Sequence, residues 1–112
     1  MTKPDLKFGK QNRLLKSEEF ELVYKKGKKA SSSGFAISWL GNNKKRLGLT
    51  VSSGVGGAIV RNKIKRRVRE FFRLNKEIFP CGDIVVTARP AAARFDSKET
   101  IRDLKNLLNK LK

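Results

Sequence analysis

Seven cationic side chains fall within the thirteen residues 61–73, a density that suits binding to phosphate groups. At 100° per residue, a helix over this segment places one apolar row nearly opposite a polar row. The apolar row is Val60, Ile64, Val68 and Phe71, and the polar row is Asn62, Arg66, Arg69 and Arg73, flanked by Lys65. Because guanidinium groups form forked hydrogen bonds with phosphate oxygens, this pattern predicts a surface that binds nucleic acid. A solvated basic face and a helix on an anionic membrane are the alternatives.

The charge of the whole chain supports a polyanionic partner. The 112 residues carry 27 Lys and Arg against 10 Asp and Glu, a formal net charge of +17. Nucleic acid is therefore the first expectation and an anionic membrane surface the second. With 38% apolar residues and seven Phe, the chain can still bury a core, and its length predicts one domain.

Several classes of active site are excluded by the residues that the sequence lacks. There is no His and only one Cys, Cys81, so His-based catalysis, a Cys cluster and an internal disulfide are all impossible. The acidic residues are scattered, and the glycine-rich segment 54–57 lacks the Lys-Ser/Thr ending of a P-loop. We expect no catalytic residue and no metal ligand in the protein itself.

Local patterns predict the elements that must hold the cationic row. A basic extended arm occupies about residues 1–16, followed by a helix capped by Ser17 and ending at Lys26. Alternating residues 34–40 and 47–51 predict an antiparallel hairpin, and the segment from Ala58 to Leu74 predicts a long helix. A strand over 84–88 and an amphipathic helix from Asp96 or Ser97 complete the order. With no apolar span or secretory signal in view, a cytoplasmic location is expected.

Two pairs of residues could bind unpaired bases. Phe20 and Tyr24 lie one turn apart on the first helix, where they form either a stacking platform or part of the core. Ala36 and Ser38 share the strand face opposite Trp39 and would form a shallow floor if nothing covers it.

The segment from Gly56 to Arg73 resembles the signature helix of the bacterial ribonuclease P protein component, in which an Arg-Asn-Arg-like triplet precedes a Lys-Arg pair. The similarity extends over about residues 12–108. It includes, in the family's order and spacing, Asn12-Arg13-Leu14, Phe20, Val23-Tyr24, the segment 46–52 and the segment 83–89.

The resemblance implies a small two-layer α/β sandwich with a central, mostly antiparallel sheet and a left-handed β-α-β crossover, against the usual hand. It also implies the accessory subunit of ribonuclease P, an endoribonuclease whose RNA component removes the 5′ leader of precursor tRNA. The implied partners are the catalytic RNA and precursor tRNA, with no membrane and no obligate protein partner. Mg²⁺ would be held mainly by the RNA.

The resemblance also assigns roles to residues. With Arg73 of the polar row and Arg13 of the arm, the predicted RNA-binding set is Arg13, Arg61, Asn62, Lys63, Lys65, Arg66, Arg69 and Arg73. The predicted leader-binding cleft consists of Phe20, Tyr24, Ala36 and Ser38. The chain departs from the family pattern at Ser53-Gly54, where a Lys pair is usual, at Gly57, where Asn is common, at Lys63 of the triplet, and at Ser38, a position that is often aromatic.

A non-enzymatic protein that binds structured RNA, of the ribosomal or assembly-factor type, is the main alternative. It would share the charge but would not prefer precursor over mature tRNA. A membrane-surface or DNA-binding module is the third possibility, and it would prefer anionic vesicles or duplex DNA to structured RNA.

Overall fold

The structure, a computed structural model, describes residues 12–111. Within that range the helices are α1 (Ser17–Lys26), α2 (Ala58–Leu74) and α3 (Ser97–Leu111), and the strands are β1 (Lys28–Ser31), β2 (Phe35–Gly41), β3 (Lys45–Thr50) and β4 (Gly82–Ala88). Both α1 and α2 begin and end at the predicted residues. The mixed α/β prediction is confirmed.

The four strands form one sheet in the order β1-β2-β4-β3. β2 is antiparallel to β1 and β4, whereas β3 is parallel to β4, so the sheet is mostly antiparallel as predicted. The predicted hairpin between β2 and β3 is wrong, because β4 lies between them. β4 is buried along nearly its whole length, and a strand of this composition is most stable in the centre, with a partner on each side.

Strand β1 was missed by the sequence patterns. It forms the edge of the sheet beside β2, and its residues Lys28 and Lys29 are exposed, which hides any apolar alternation. Lysine on an edge strand is a common way of preventing pairing with another chain.

Helices pack on both faces of the sheet. The main core joins inward residues of the strands, such as Phe35, Ile37 and Ile84, to α2 and α3. On the opposite face, Val23 of α1 forms a smaller cluster with Leu14 and Val85. α2 connects the parallel strands β3 and β4, and the hand of this crossover stays a prediction.

Residues 12–14 extend the sheet at the outer edge of β3. Arg13 forms a parallel bridge with Leu47, and the Leu14 amide donates to the Leu47 carbonyl at 3.0 Å. The Asn12 amide group donates to the Lys45 carbonyl at 3.1 Å, and Asn12 and Leu14 are buried. The end of the predicted basic arm is therefore packed structure, and its residues 1–11 lie outside the described range.

The helix caps differ in part from the predictions. Ser17 is the first residue of α1 rather than its cap, and Lys16 precedes it without a capping side-chain hydrogen bond. Before α3, the Glu99 amide donates to Asp96 Oδ1 at 2.7 Å while the Asp96 amide donates to Glu99 Oε1 at 3.1 Å, a capping box. No helix within residues 12–111 is long and apolar enough to cross a membrane.

Candidate RNA interface

The core holds α2 by one side and leaves its cationic side outward. Ile64, Val68, Phe71 and Phe72 are buried, and the last two pack against Phe79 with ring centroids 5.6 and 4.8 Å away. The exposed residues of the predicted RNA-binding set on this helix are Asn62, Lys63, Arg66 and Arg69. The structure thus places these four side chains on a well-anchored support.

Arg61 and Lys65 are half-buried at the margins of this surface. Arg61 Nε is buried and has no hydrogen-bond partner within residues 12–111. Arg67, which neighbours Arg66 in sequence, instead donates from Nη1 to the Phe95 carbonyl at 2.7 Å. Arg67 therefore ties α2 to the segment before α3, while Arg66 remains on the outer surface.

Arg73 is paired with a carboxylate near the end of α2. Its guanidinium forms an ion pair with Glu70, and Nε donates to Glu70 Oε2 at 3.2 Å. The hydrogen bonds of this pair raise the pKa of Arg73 and lower the pKa of Glu70. Of the predicted RNA-binding residues, Arg73 is consequently the one whose positive charge an acidic neighbour offsets most directly.

Phe20 of α1 packs on a glycine of the sheet. A Cβ atom at Gly48 would lie 2.6 Å from Phe20 Cζ, closer than such atoms approach in proteins. The missing side chain of Gly48 is therefore what leaves room for the ring. One turn later, the Tyr24 hydroxyl lies 3.2 Å from Thr50 Oγ1, within hydrogen-bond distance, and both aromatic rings are half-buried.

Three of the four predicted cleft residues line two separate recesses, and Tyr24 lines neither of them. Ala36 and Ser38 line a shallow recess beside β1 with Lys29, Ser31 and Lys110. Ala36 is half-buried, and Ser38 is only 8% exposed.

Phe20 lies away from that floor. It lines a recess at the edge of β3 whose other side chains are Arg13, Leu14, Leu15, Leu47, Leu49 and Arg69. The leader-binding roles of all four residues stay predictions, but the structure brings Phe20 together with two members of the RNA-binding set.

Sequence analysis assigned no role to Arg46, which joins three elements. It donates to both carboxylate oxygens of Asp83 on β4 and forms a 2.7 Å ion pair with Glu19 of α1. These contacts raise the pKa of Arg46, with the hydrogen bonds to Asp83 as the largest cause. Glu19 precedes Phe20, so this pairing fixes α1 where the aromatic ring meets the sheet.

Five acidic residues of the described range bind a cationic side chain or cap a helix. Glu19 and Asp83 bind Arg46, Glu70 binds Arg73, and Asp96 and Glu99 cap α3. Among residues 12–111, no three side chains of the kinds that ligate metals come together. Cys81 is exposed.

Comparison with known proteins identifies the family to which this arrangement belongs. The sequence profile of ribonuclease P matches residues 8–112. The chain belongs to the ribonuclease P protein family. It is 44% identical over 106 residues to the ribonuclease P protein component of Desulfosudis oleivorans, covering 92% of this chain and 88% of the relative. It is 36% identical over 104 residues to that of Bacillus velezensis, covering 90% of each.

Solved structures of ribonuclease P proteins share the fold. The Staphylococcus aureus protein superposes with a TM-score of 0.86 at 34% identity, covering 92% of this chain and 97% of that one. The Thermotoga maritima protein gives a TM-score of 0.80 at 37% identity, with coverages of 89% and 97%. Membership makes this chain an accessory subunit of the ribonuclease P ribonucleoprotein, an endoribonuclease that acts in tRNA 5′ processing, with the ribonuclease P RNA as its partner.

Proposed function

We propose that the chain binds the catalytic RNA through the outer side of α2 and contacts the 5′ leader of precursor tRNA through the α1 side of the sheet. The RNA then cleaves the phosphodiester bond, while the protein strengthens assembly and substrate binding. The observation that carries this proposal is the exposed surface of Asn62, Lys63, Arg66 and Arg69 on a helix anchored by four buried apolar residues. Cationic side chains in this arrangement neutralise phosphate charge without contributing a nucleophile or a base.

The leader-binding part rests on the aromatic residues of α1. Phe20 and Tyr24 are half-buried, so each ring is held by the protein and keeps some exposed surface. Stacking of an unpaired base on such a ring contributes about 1–3 kcal/mol and is tolerant of sequence. This tolerance suits an enzyme whose substrates carry different leaders.

The same proposal includes the Mg²⁺ ions, the location and the protein partners of the complex. The catalytic RNA would hold the Mg²⁺ ions, since its phosphates are better ligands for Mg²⁺ than the cationic side chains of α2. A cytoplasmic location and the absence of an obligate protein partner stay predictions.

Reconstitution tests the proposal directly. The chain alone should leave precursor tRNA intact, whereas at low Mg²⁺ its addition to a bacterial ribonuclease P RNA should stimulate cleavage at the mature 5′ end. With the RNA present, precursor tRNA should bind more tightly than mature tRNA. A chain that fails to stimulate the RNA, or that binds both tRNAs equally in the complex, would contradict the proposal.

A further inference from the structure

A groove between α2 and α3 lies beside the exposed cationic surface of α2, and we call it the α2–α3 groove. Phe71, Leu74 and Ile101 supply its apolar lining, and its volume is about 280 Å³. Leu74 is 47% exposed and Ile101 is 38% exposed, so the groove leaves two large apolar side chains in contact with water. Apolar residues that are exposed together in a groove mark a binding site, whereas single scattered ones do not.

Core packing fixes both walls of the α2–α3 groove. Phe71 is buried and packs against Phe79, while Leu104 holds α3 in the same core. Arg67 lines the groove and donates to the Phe95 carbonyl at 2.7 Å, which ties α2 to the segment before α3. The groove is therefore formed by the fold itself and needs no rearrangement to accept a ligand.

The polar side chains of the groove connect it to the cationic surface of α2. Arg66 lines the groove and is also one of the four exposed residues of that surface. Among the described residues that line the groove, Glu70 is the only acidic one, and its carboxylate is paired with Arg73. A phosphate group bound by Arg66 would therefore bring the attached nucleotide to the opening of the groove.

A single flat ring fits this groove better than a peptide does. The volume of the groove lies just below the range of about 300–1,000 Å³ that encloses a drug-sized ligand. An unpaired base has apolar faces and is joined to phosphates, which accept forked hydrogen bonds from guanidinium groups. RNA that runs along the exposed side of α2 passes the opening of the groove and can supply such a base.

We propose that the α2–α3 groove binds one unpaired base of the catalytic RNA. The base lies against Leu74 and Ile101, and Arg66 binds a phosphate next to it. The protein then contributes apolar affinity as well as charge neutralisation, and α3 becomes part of the RNA interface. Because α1 packs on the opposite face of the sheet, this site is separate from the proposed leader contact. The inference rests on the proposed function, since it needs the catalytic RNA to lie along α2.

Substitutions at the exposed walls test the groove without disturbing the core. Leu74→Gln and Ile101→Gln should each weaken binding to a bacterial ribonuclease P RNA about five-fold or more, through loss of the contact with the base. Leu22→Gln is the matched control, because Leu22 of α1 is 45% exposed and lies outside the groove. It should bind the RNA as the unmodified chain does, and equal affinities for all three variants would overturn the inference.

Salt dependence separates an apolar contact from an ionic one. The losses caused by Leu74→Gln and Ile101→Gln should be the same at every salt concentration, because neither substitution removes a phosphate contact. Arg66→Gln should instead reduce the slope of log affinity against log salt concentration by roughly 0.7–0.9. Groove variants that reduce the slope as Arg66→Gln does would show that their losses come from displaced cations, which contradicts a bound base.

Photocrosslinking identifies the base and allows a second test. A benzophenone side chain at position 101 should label the catalytic RNA at an unpaired nucleotide. Removal of that base should weaken binding of the unmodified chain about five-fold or more, yet should have little further effect on a variant that carries both Leu74→Gln and Ile101→Gln.

Two outcomes of these RNA experiments would refute the groove as a base-binding site. One is labelling of precursor tRNA alone, and the other is an equal loss of affinity by both proteins when the base is removed. Failure of the proposed function differs from both, because the unmodified chain would then not stimulate cleavage by the RNA at all.

Discussion

Arg46 and Asp83 face each other across β3 and β4, and the Arg46 guanidinium donates to both oxygens of the Asp83 carboxylate at 2.7 Å. The third guanidinium nitrogen lies 2.7 Å from Glu19 of α1. One side chain therefore connects the parallel strand pair to the helix that carries Phe20. Asp83 is buried, and Arg46 is the cation that faces its carboxylate.

Arg46→Met should destabilise the fold by about 3 kcal/mol, because it leaves the Asp83 carboxylate buried without a cation. Urea denaturation measures this change. Glu19→Gln removes the more exposed partner and should cost about 1 kcal/mol or less. Equal losses from the two substitutions would contradict the view that the buried Asp83 pair dominates the interaction.

Gly48→Ala should displace the Phe20 ring, since the added Cβ would lie 2.6 Å from the ring. We expect a loss of about 1–3 kcal/mol in stability, the usual cost of inserting a methyl group into packed structure, and weaker binding of precursor tRNA by the assembled enzyme. Affinity for the catalytic RNA should change little.

Gly54→Ala is the matched control for Gly48→Ala. A Cβ at Gly54 meets only Ser52 Oγ at an ordinary 3.7 Å. If Gly48→Ala binds precursor tRNA as well as the Gly54→Ala variant does, the position of the Phe20 ring has no bearing on leader binding.

Glu70→Gln should strengthen binding to the catalytic RNA, because it releases the guanidinium of Arg73 from its ion pair and removes a negative charge from the same surface. If Arg73 then gains a phosphate contact, the slope of log affinity against log salt concentration should steepen by roughly 0.7–0.9. Filter binding over a range of salt concentrations gives the slope. Glu77→Gln makes the same charge change on another exposed side chain and should leave the slope unaltered.

The effect of Glu70→Gln should depend on pH in a defined direction. Arg73 lowers the pKa of Glu70, so the carboxylate stays charged as the pH falls past the ordinary glutamate value of about 4.3. The ion pair between Glu70 and Arg73 is therefore fully formed above that value, and it is lost only as the pH falls through the lowered pKa of Glu70. The unmodified chain and the variant should therefore still differ fully at about pH 4.3, where an unpaired glutamate is half-protonated. Loss of half of the difference at that pH would show that Arg73 does not protect the charge of Glu70.

Asp96→Ala should cost about 1 kcal/mol of stability, because it removes the side chain that accepts from the Glu99 amide at the start of α3. Thermal unfolding measures this change. Lys98→Ala alters an exposed residue of the same turn without touching the cap and should have a smaller effect. A cap that contributes nothing would leave the two variants equally stable.

Much of the local structure could be predicted from the sequence. The apolar positions 60, 64, 68 and 71 recur with the helical period. Gly27 follows α1 and Gly57 precedes α2, and both helices have the predicted bounds. The same periodicity predicted that Arg66 and Arg69 face outward, because the apolar row of a helix determines which of its sides is buried. The resemblance along the chain identified the family, which the comparisons confirm.

The pairing of strands depends on the whole chain. Residues 34–40 and 47–51 carry equally good strand patterns, and nothing in either shows that β4 will separate them. The central position is taken by the strand that can be buried on both faces, so it depends on the apolar content of all four strands together. The edge strand β1 has few apolar residues to bury, and its lysines mask the alternating pattern by which a strand is recognised in a sequence.

The juxtapositions of side chains also required the tertiary structure. Arg13, Phe20 and Arg69 are far apart in sequence and meet only because residues 12–14 pair with β3 and α1 and α2 pack against opposite faces of the sheet. Arg66 and Arg67 are neighbours of the same type, yet Arg67 is engaged with the Phe95 carbonyl while Arg66 is exposed. The sequence by itself determined which residue types could bind RNA, because charge and helical period are local properties. Which of those residues act together was decided by the packing of distant segments.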